Sequence, residues 1–196
     1  STEVIPDDPS ISHPNAGRKC VVKIDQRLYK INFAISNGAS PVVHCCHSED
    51  QMIADLIRSV CNHLHAEGGN VQPSDLLVMA PKKNQVEKIV CALENKGVRV
   101  HVPLKTEQFD NRDRGCFRDG SVTVSTIKSC KGYTAHICHL VYAHSLAACD
   151  QDLKKSQESR SEFHVACTRS SLILDVWGLS SPLMDEASTC AEAISR

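Results

Sequence analysis

Two stretches of the chain carry side chains suited to holding phosphates. In SVTVSTIKSCKGYTAHICHLV, residues 121–141, β-branched residues at alternate positions (Val122, Val124, Thr126) lead into the polar turn Lys128-Ser129-Cys130-Lys131-Gly132. A second apolar run, Ile137 to Val141, follows, so two strands are expected to flank a loop of hydroxyls, ammonium groups and one glycine. At the C-terminal edge of a parallel sheet such a turn gathers hydroxyl and amide donors, and phosphate is their natural guest. In the second stretch, residues 160–176, a segment with Phe163, Ala166 and Cys167 on one helical face ends in Thr168-Arg169 and passes into the strand-like run Leu172 to Val176. The planar, permanent charge of Arg169 at that junction suits either an anionic ligand or a salt bridge at the helix end.

The elements that must position these residues alternate between strand and helix. Pro41 to Cys46 reads as a strand, and Ser48-Glu49-Asp50-Gln51 as a capping box in which the Ser48 hydroxyl accepts from the Gln51 amide and the Gln51 side chain reaches back. Met52, Ile53, Leu56, Ile57, Val60, Cys61 and Leu64 then recur at helical spacing, with Gly68-Gly69 as the stop. Asp75 to Ala80 is an expected buried strand. Pro81 begins a second amphipathic helix (Val86, Ile89, Val90, Leu93) closed by Gly97, and Val98 to Val102 is a further strand. Ala143 to Lys155 is open between helix and loop, and Ser159-Arg160-Ser161-Glu162 is expected as a capping box at the head of the Arg169 segment. This order predicts an α/β fold with a mainly parallel sheet covered by helices on both faces.

Length and composition bound the rest. The 196 residues, 41% hydrophobic, suit one α/β domain. Residues 1–19, with three prolines, read as a flexible lead-in, and a chain beginning at Ser1 reads as a fragment of something longer. The domain is expected over 20–178, where Cys20 to Ile35 offers two short strands or a strand and one helical turn, and 179–196 as a tail with one weak helix. A formal net charge of −1, from 22 basic and 23 acidic residues, excludes a global attraction to nucleic acid, so any such contact is a local patch. No apolar run approaches the ~20 residues of a membrane helix and no secretory pattern opens the chain, so a soluble, cytoplasmic protein without membrane contact is expected.

Eleven cysteines are many. There is no Cys-x-x-Cys, and an odd number fits a disulfide framework poorly. Cys20, Cys61, Cys91, Cys138 and Cys167 occupy places in apolar runs that Val or Ala could fill, which predicts buried thiols. His44-Cys45-Cys46-His47, with His136, Cys138 and His139, has metal-ligand residue types. Adjacent strand residues face opposite ways, however, so the first four cannot share one small tetrahedral site. Strand packing with exposed histidines and no metal is expected.

Together the two phosphate-suited stretches resemble the C-terminal signature of superfamily 1 helicases of the UvrD/Rep/PcrA type. That signature is a strand, T-x-H-S-x-K-G and a strand, followed by a helix ending V-A-x-T-R and another strand. Thr126, Ser129, Lys131 and Gly132 match the first pattern, and Val165, Ala166, Thr168 and Arg169 the second. The resemblance covers roughly residues 41–178. It implies a RecA-like three-layer sandwich, the second of two motor domains, with single-stranded DNA held by Thr126, Ser129 and the backbone near Gly132. Lys128 stands where the family usually has His. Arg169 takes the place of the arginine that reaches the ATP γ-phosphate, with Thr168 setting its rotamer. Gly132 and Thr134 fall on the nucleotide side, and Lys131 is open between the nucleotide and a carboxylate of a neighbouring domain. Thr134 departs from the Glu that many relatives place there against the ribose.

Residues 103–120 are too few to hold the subdomain that UvrD-type enzymes insert at that point. The chain also has no G-x-x-x-x-G-K-[ST]. The resemblance therefore implies that ATP and Mg²⁺ bind only together with a P-loop domain of the same polypeptide, and that this chain alone hydrolyses nothing. Two other readings stay open: a degenerate RecA-like DNA-binding or regulatory domain without motor activity, and a Cys/His metal or redox sensor.

Overall fold

The computed structural model describes residues 19–24, 27–32, 39–66, 71–103, 117–146 and 153–194. The chain divides into two compact units, 1–38 and 39–196. In the first, β1 (Lys19–Ile24) pairs antiparallel with β2 (Arg27–Asn32), Lys19 opposite Asn32 and Ile24 opposite Arg27. The second unit runs β3 (Val42–Cys46), α1 (Glu49–His65), β4 (Leu76–Ala80), α2 (Lys83–Glu94), β5 (Val100–His101), β6 (Val122–Thr126), β7 (Ala135–Leu140), α3 (Leu153–Cys167), β8 (Ser170–Leu179) and α4 (Pro182–Ile194). Its six strands form one sheet in the order β3-β8-β7-β4-β6-β5, and every neighbouring pair is parallel.

Alternation along the strands divides the core in two. Leu76, Val78 and Ala80 of β4 face one way and pack with Met52, Leu56 and Val60 of α1 and Val86, Ile89 and Leu93 of α2. Leu77 and Met79 face the other way, with Ala166 of α3 and Met184 of α4. A strand buried on both faces in this manner requires a helical layer on each side, and the three-layer α/β arrangement expected from the alternation is present.

Local chemistry sets the helix ends. Ser48 Oγ accepts from the Gln51 amide at 3.2 Å, while Gln51 Oε1 reaches the amide of His47 at 3.1 Å, one residue before the cap itself. Gln85 Oε1 accepts from the Lys82 amide at 3.0 Å at the head of α2. Its far end closes through Gly97 at φ +78° and a Val98 N–H···O=C Leu93 bond of 3.1 Å.

Several expectations are corrected. The strand expected over Val98 to Val102 is only Val100–His101, at the sheet edge. Ser159-Arg160-Ser161-Glu162 starts no helix, because α3 is already under way at Leu153 and its amides there have intrahelical partners. The Ser-x-x-Glu spacing spans one turn anywhere in a helix, and Glu162 lies 3.7 Å from Lys128 Nζ. Residues 20–38 fall in the first unit, and the expected tail belongs to the second. β8 continues to Leu179, and α4 buries Met184 completely. Arg160 of α3 meets Glu186 of α4 through both Nη atoms at 2.8 Å. The Gly68-Gly69 stop and residues 104–116 and 147–152 lie outside the described residues. No helix among the described residues is long and apolar enough to cross a membrane.

Thiols populate the α3/α4 side of the core. Burial pushes Cys138 up to about 12 and Cys130 and Cys167 up to about 11, so all three stay protonated at neutral pH. Cys91, expected to be buried, is exposed, because it lies on the side of α2 opposite Val86, Ile89 and Leu93.

Two packing predictions follow from this arrangement. Met184→Ala should lower unfolding free energy in urea by about 2–5 kcal/mol. A Cβ on Gly178 would lie 2.7 Å from Met184 Sδ and 3.1 Å from the His144 amide nitrogen, so Gly178→Ala should cost about 1–3 kcal/mol. An unchanged midpoint for Met184→Ala would mean that α4 does not belong to the cooperative unit. Under native conditions at pH 8, mass spectrometry should find Cys45, Cys91 and Cys190 alkylated rapidly and Cys130 and Cys138 intact. Equal labelling of all five would contradict this packing.

Candidate functional site

β6 and β7 are parallel, and β4 lies between them, so residues 127–134 must carry the chain from the C-terminal edge of the sheet back to its N-terminal edge. A five-residue strand is roughly 16 Å long. The segment crosses on the α3/α4 side, with Ile127 and Cys130 inserted into that part of the core. The candidate residues are thereby sorted between two edges.

At the C-terminal edge, Thr126 and Ser129 form a closed turn. Thr126 Oγ1 donates to Ser129 Oγ at 2.9 Å, the Ser129 amide lies 3.2 Å from Thr126 Oγ1, and the Ser129 and Cys130 amides reach Thr126 O at 3.0 and 3.2 Å. Both hydroxyls are partly exposed, and the Lys128 side chain beside them is 81% exposed. This is a small concave donor set with a cation at its rim.

At the N-terminal edge the chain turns at Gly132, whose φ of +93° puts any larger residue under strain. The backbone near Gly132, expected to share a DNA track with Thr126 and Ser129, lies instead at the opposite edge, because the segment between them crosses the sheet. Gly132, Tyr133 and Thr134 line a depression of about 560 Å³ together with Ser74, Asp75 and Ser171. Phe117 and Tyr133 meet edge-on in its wall at 6.3 Å, and His136 Nδ1 lies 3.1 Å from Asp75 Oδ1. Lys131 is exposed.

Arg169 stands beside this depression, where α3 gives way to β8. Its Nε donates to Val165 O at 2.9 Å, Nη1 to Tyr133 O at 3.1 Å and Nη2 to Thr168 Oγ1 at 2.9 Å. Thr168 Oγ1 in turn donates to Val165 O at 2.9 Å. A guanidinium has five N–H donors. Three are committed, the fork is held in one plane, and one N–H on each terminal nitrogen is left.

A third group of residues lies between the sheet and α1, away from both edges. His139 of β7 is fully buried, so the expectation of exposed strand histidines fails there. Its Nδ1 lies 3.3 Å from Asp175 Oδ2 on β8 and 3.3 Å from the indole Nε1 of Trp177. His44 of β3 stacks on Trp177 at 3.7 Å and sets Nε2 3.4 Å from Asp175 Oδ1. His63 of α1 sets Nε2 4.0 Å from Asp175 Oδ2. Burial opposes ionisation of Asp175, but the bonds from His139 and His44 more than offset it and hold the carboxyl well below its usual range. Burial, and after it the proximity of His139, lowers His63, with Asp175 opposing. The group is non-local, with His44 and Asp175 131 residues apart. No sequence spacing could have brought it forward.

No protein-family model matches the chain, and no curated protein matches its sequence. Among solved structures, the C-terminal domain of a possible DNA helicase from Lactobacillus plantarum WCFS1 is similar to it, with a TM-score of 0.56 and 16% identity over 79% of this chain and 84% of that one. At that identity the likeness is one of fold. The six-stranded unit has the α/β architecture of a RecA-like three-layer sandwich.

Proposed function

We propose that this chain is the second RecA-like half of an ATP-dependent DNA helicase or translocase of the superfamily 1, UvrD-like kind. The observation that carries this reading is the separation of the candidate residues onto two sheet edges joined by residues 127–134. A motor domain must grip a strand at one place and sense a nucleotide at another, and this segment links the two directly. The solved structure of similar fold is itself described as the C-terminal domain of a possible DNA helicase, which agrees with the reading.

In this account Thr126, Ser129 and Lys128 hold the backbone of single-stranded DNA through hydroxyl, amide and ammonium contacts that position it without reading its sequence. Gly132, Thr134 and Lys131 face the nucleotide, and Arg169 supplies the charge for its γ-phosphate. The depression suits a phosphate tail: hydroxyls of Ser74, Thr134 and Ser171 surround it and an anchored guanidinium adjoins it. Asp75, the one carboxylate among the described lining residues, meets His136, and on this reading the Mg²⁺ ligands and the phosphate cradle belong to a P-loop domain of the same polypeptide. Bound there, ATP and Mg²⁺ supply the phosphoryl group whose transfer drives the motor. The task of Arg169 is to hold its fork in place before that charge develops.

The internal bonding of Arg169 also favours a second reading, in which the arginine only staples α3 to the crossing segment and the domain binds nucleic acid or regulates without motor activity. The two readings separate in the full polypeptide. On the motor reading Arg169→Ala should lower DNA-stimulated ATP turnover by at least about a hundredfold, the scale of a lost transition-state arginine, with the melting temperature measured alongside to register any loss of the staple. Thr126→Val combined with Ser129→Ala should weaken single-stranded DNA binding and leave unstimulated turnover in place. Turnover unchanged in Arg169→Ala, or absent from the parent with every nucleic acid tried, would leave only the second reading.

A further inference from the structure

Among the described residues His139 Nε2 has no hydrogen-bond partner, although its residue is fully buried. Its other nitrogen has two claimants. With hydrogen on Nδ1, that N–H serves Asp175, the Trp177 indole loses its acceptor and Nε2 keeps a bare lone pair. With hydrogen on Nε2, that N–H finds no acceptor and Asp175 Oδ2 faces the Nδ1 lone pair at 3.3 Å. Neither neutral tautomer satisfies every buried group, and a buried polar atom without a partner is costly. A cation that accepts the Nδ1 lone pair together with Asp175 Oδ2 fixes the hydrogen on Nε2 and turns the facing lone pairs of the second arrangement into two bonds, although it gives the Nε2–H no acceptor.

The surrounding atoms are arranged for one. His63, His139 and Asp175 each offer a ligand atom, and these atoms lie within 4.8 Å of one another. An ion with bonds near 2.0–2.1 Å holds neighbouring tetrahedral ligands about 3.3 Å apart. The His139 Nδ1–Asp175 Oδ2 pair already has that separation, and His63 Nε2 stands at 4.0 Å from Oδ2. His63 lies in the last turn of α1 and its side chain is 24% exposed, so its ring can close the remaining distance and opens a route from solvent. His44 meets the other carboxylate oxygen, Oδ1, while stacked on Trp177, which is the orienting contact a ligating carboxylate needs.

We propose that His63, His139 and Asp175, oriented by His44, form a binding site for a divalent transition-metal ion of the zinc type, pinning the end of α1 to β7 and β8. Imidazole with one carboxylate is the donor set that such ions favour over magnesium or calcium. The site is separate from both edges assigned to DNA and nucleotide, and it stands whether or not the motor reading does.

The test uses the full chain freed of metal by chelation. Zinc is added and measured by equilibrium dialysis with elemental analysis, and cobalt is used as a spectroscopic probe. The expected result is ~1 zinc per chain, a melting temperature that rises with zinc, and tetrahedral cobalt bands without a thiolate charge-transfer band. His63→Ala changes a half-buried helix-end residue and should leave the fold intact while weakening zinc binding by about tenfold or more. Asp175→Asn should do the same. If that buried variant fails to fold, His63→Ala decides alone. A folded wild-type chain that takes up no zinc, a thiolate band with cobalt, or undiminished binding in His63→Ala would overturn the proposal.

Discussion

Leu76 to Ala80 are fully buried, hydrogen-bonded to β6 on one side and β7 on the other and packed under helices on both faces. No side chain of β4 can therefore serve a ligand, and the same constraint weakens only towards the ends of its neighbours. The middle of this sheet admits only what its own buried residues can enclose, and contact with larger molecules is pushed to the two edges. The crossing segment 127–134 follows from this constraint. Parallel strands are usually joined by a dozen residues or more, often a helix, and here a shorter path succeeds because Ile127 and Cys130 anchor it in the core and Gly132 permits the turn at its end.

The two halves of the core are chemically unlike. The α3/α4 side is apolar and rich in protonated thiols, with Cys130 and Cys138 both buried there. The α1 side sets Asp175 and three imidazoles into a layer of aliphatic residues with Tyr142 and Trp177. One row across the sheet reads Val124, Val78, His139, Asp175, Val42, an imidazole and a carboxylate between valines. A buried carboxylate without partners would be strongly destabilising, so His139 and His44, which meet its two oxygens, are as necessary to this fold as the aliphatic residues beside them.

The legible part of the structure was the local part. The Ser48 cap, the five-residue β4 run, the spacing in α1 and α2 and the Gly97 stop depend on neighbours in sequence, and each is where it was expected. The placement of Arg169 between helix and strand was legible for the same reason. Ser159 and Glu162 misled because a one-turn spacing does not distinguish a helix start from its interior. α4 is less legible because it packs Met184 against Gly178 and pairs Glu186 with Arg160, contacts that no periodicity reveals. Gly132 parted from Ser129 because chain direction across a sheet depends on strand order, which the sequence between them does not encode. The histidine cluster is the extreme case, drawn from four elements and visible only once β3, β7 and β8 are adjacent.

The backbone of Arg169 belongs to the framework. Its N–H reaches Ala166 O at 3.1 Å, and its carbonyl accepts from the Ala135 N–H at 2.9 Å, at the first rung between β7 and β8. The arginine therefore cannot travel as a hinged loop does, and any reach it makes is a change of side-chain torsion. Such changes in accessible side chains take picoseconds to nanoseconds, whereas collective domain motions take microseconds to milliseconds. For Arg169 such a torsion must also break the three bonds that hold its guanidinium, so its tempo is set by that bonding as much as by any movement of the bodies around it.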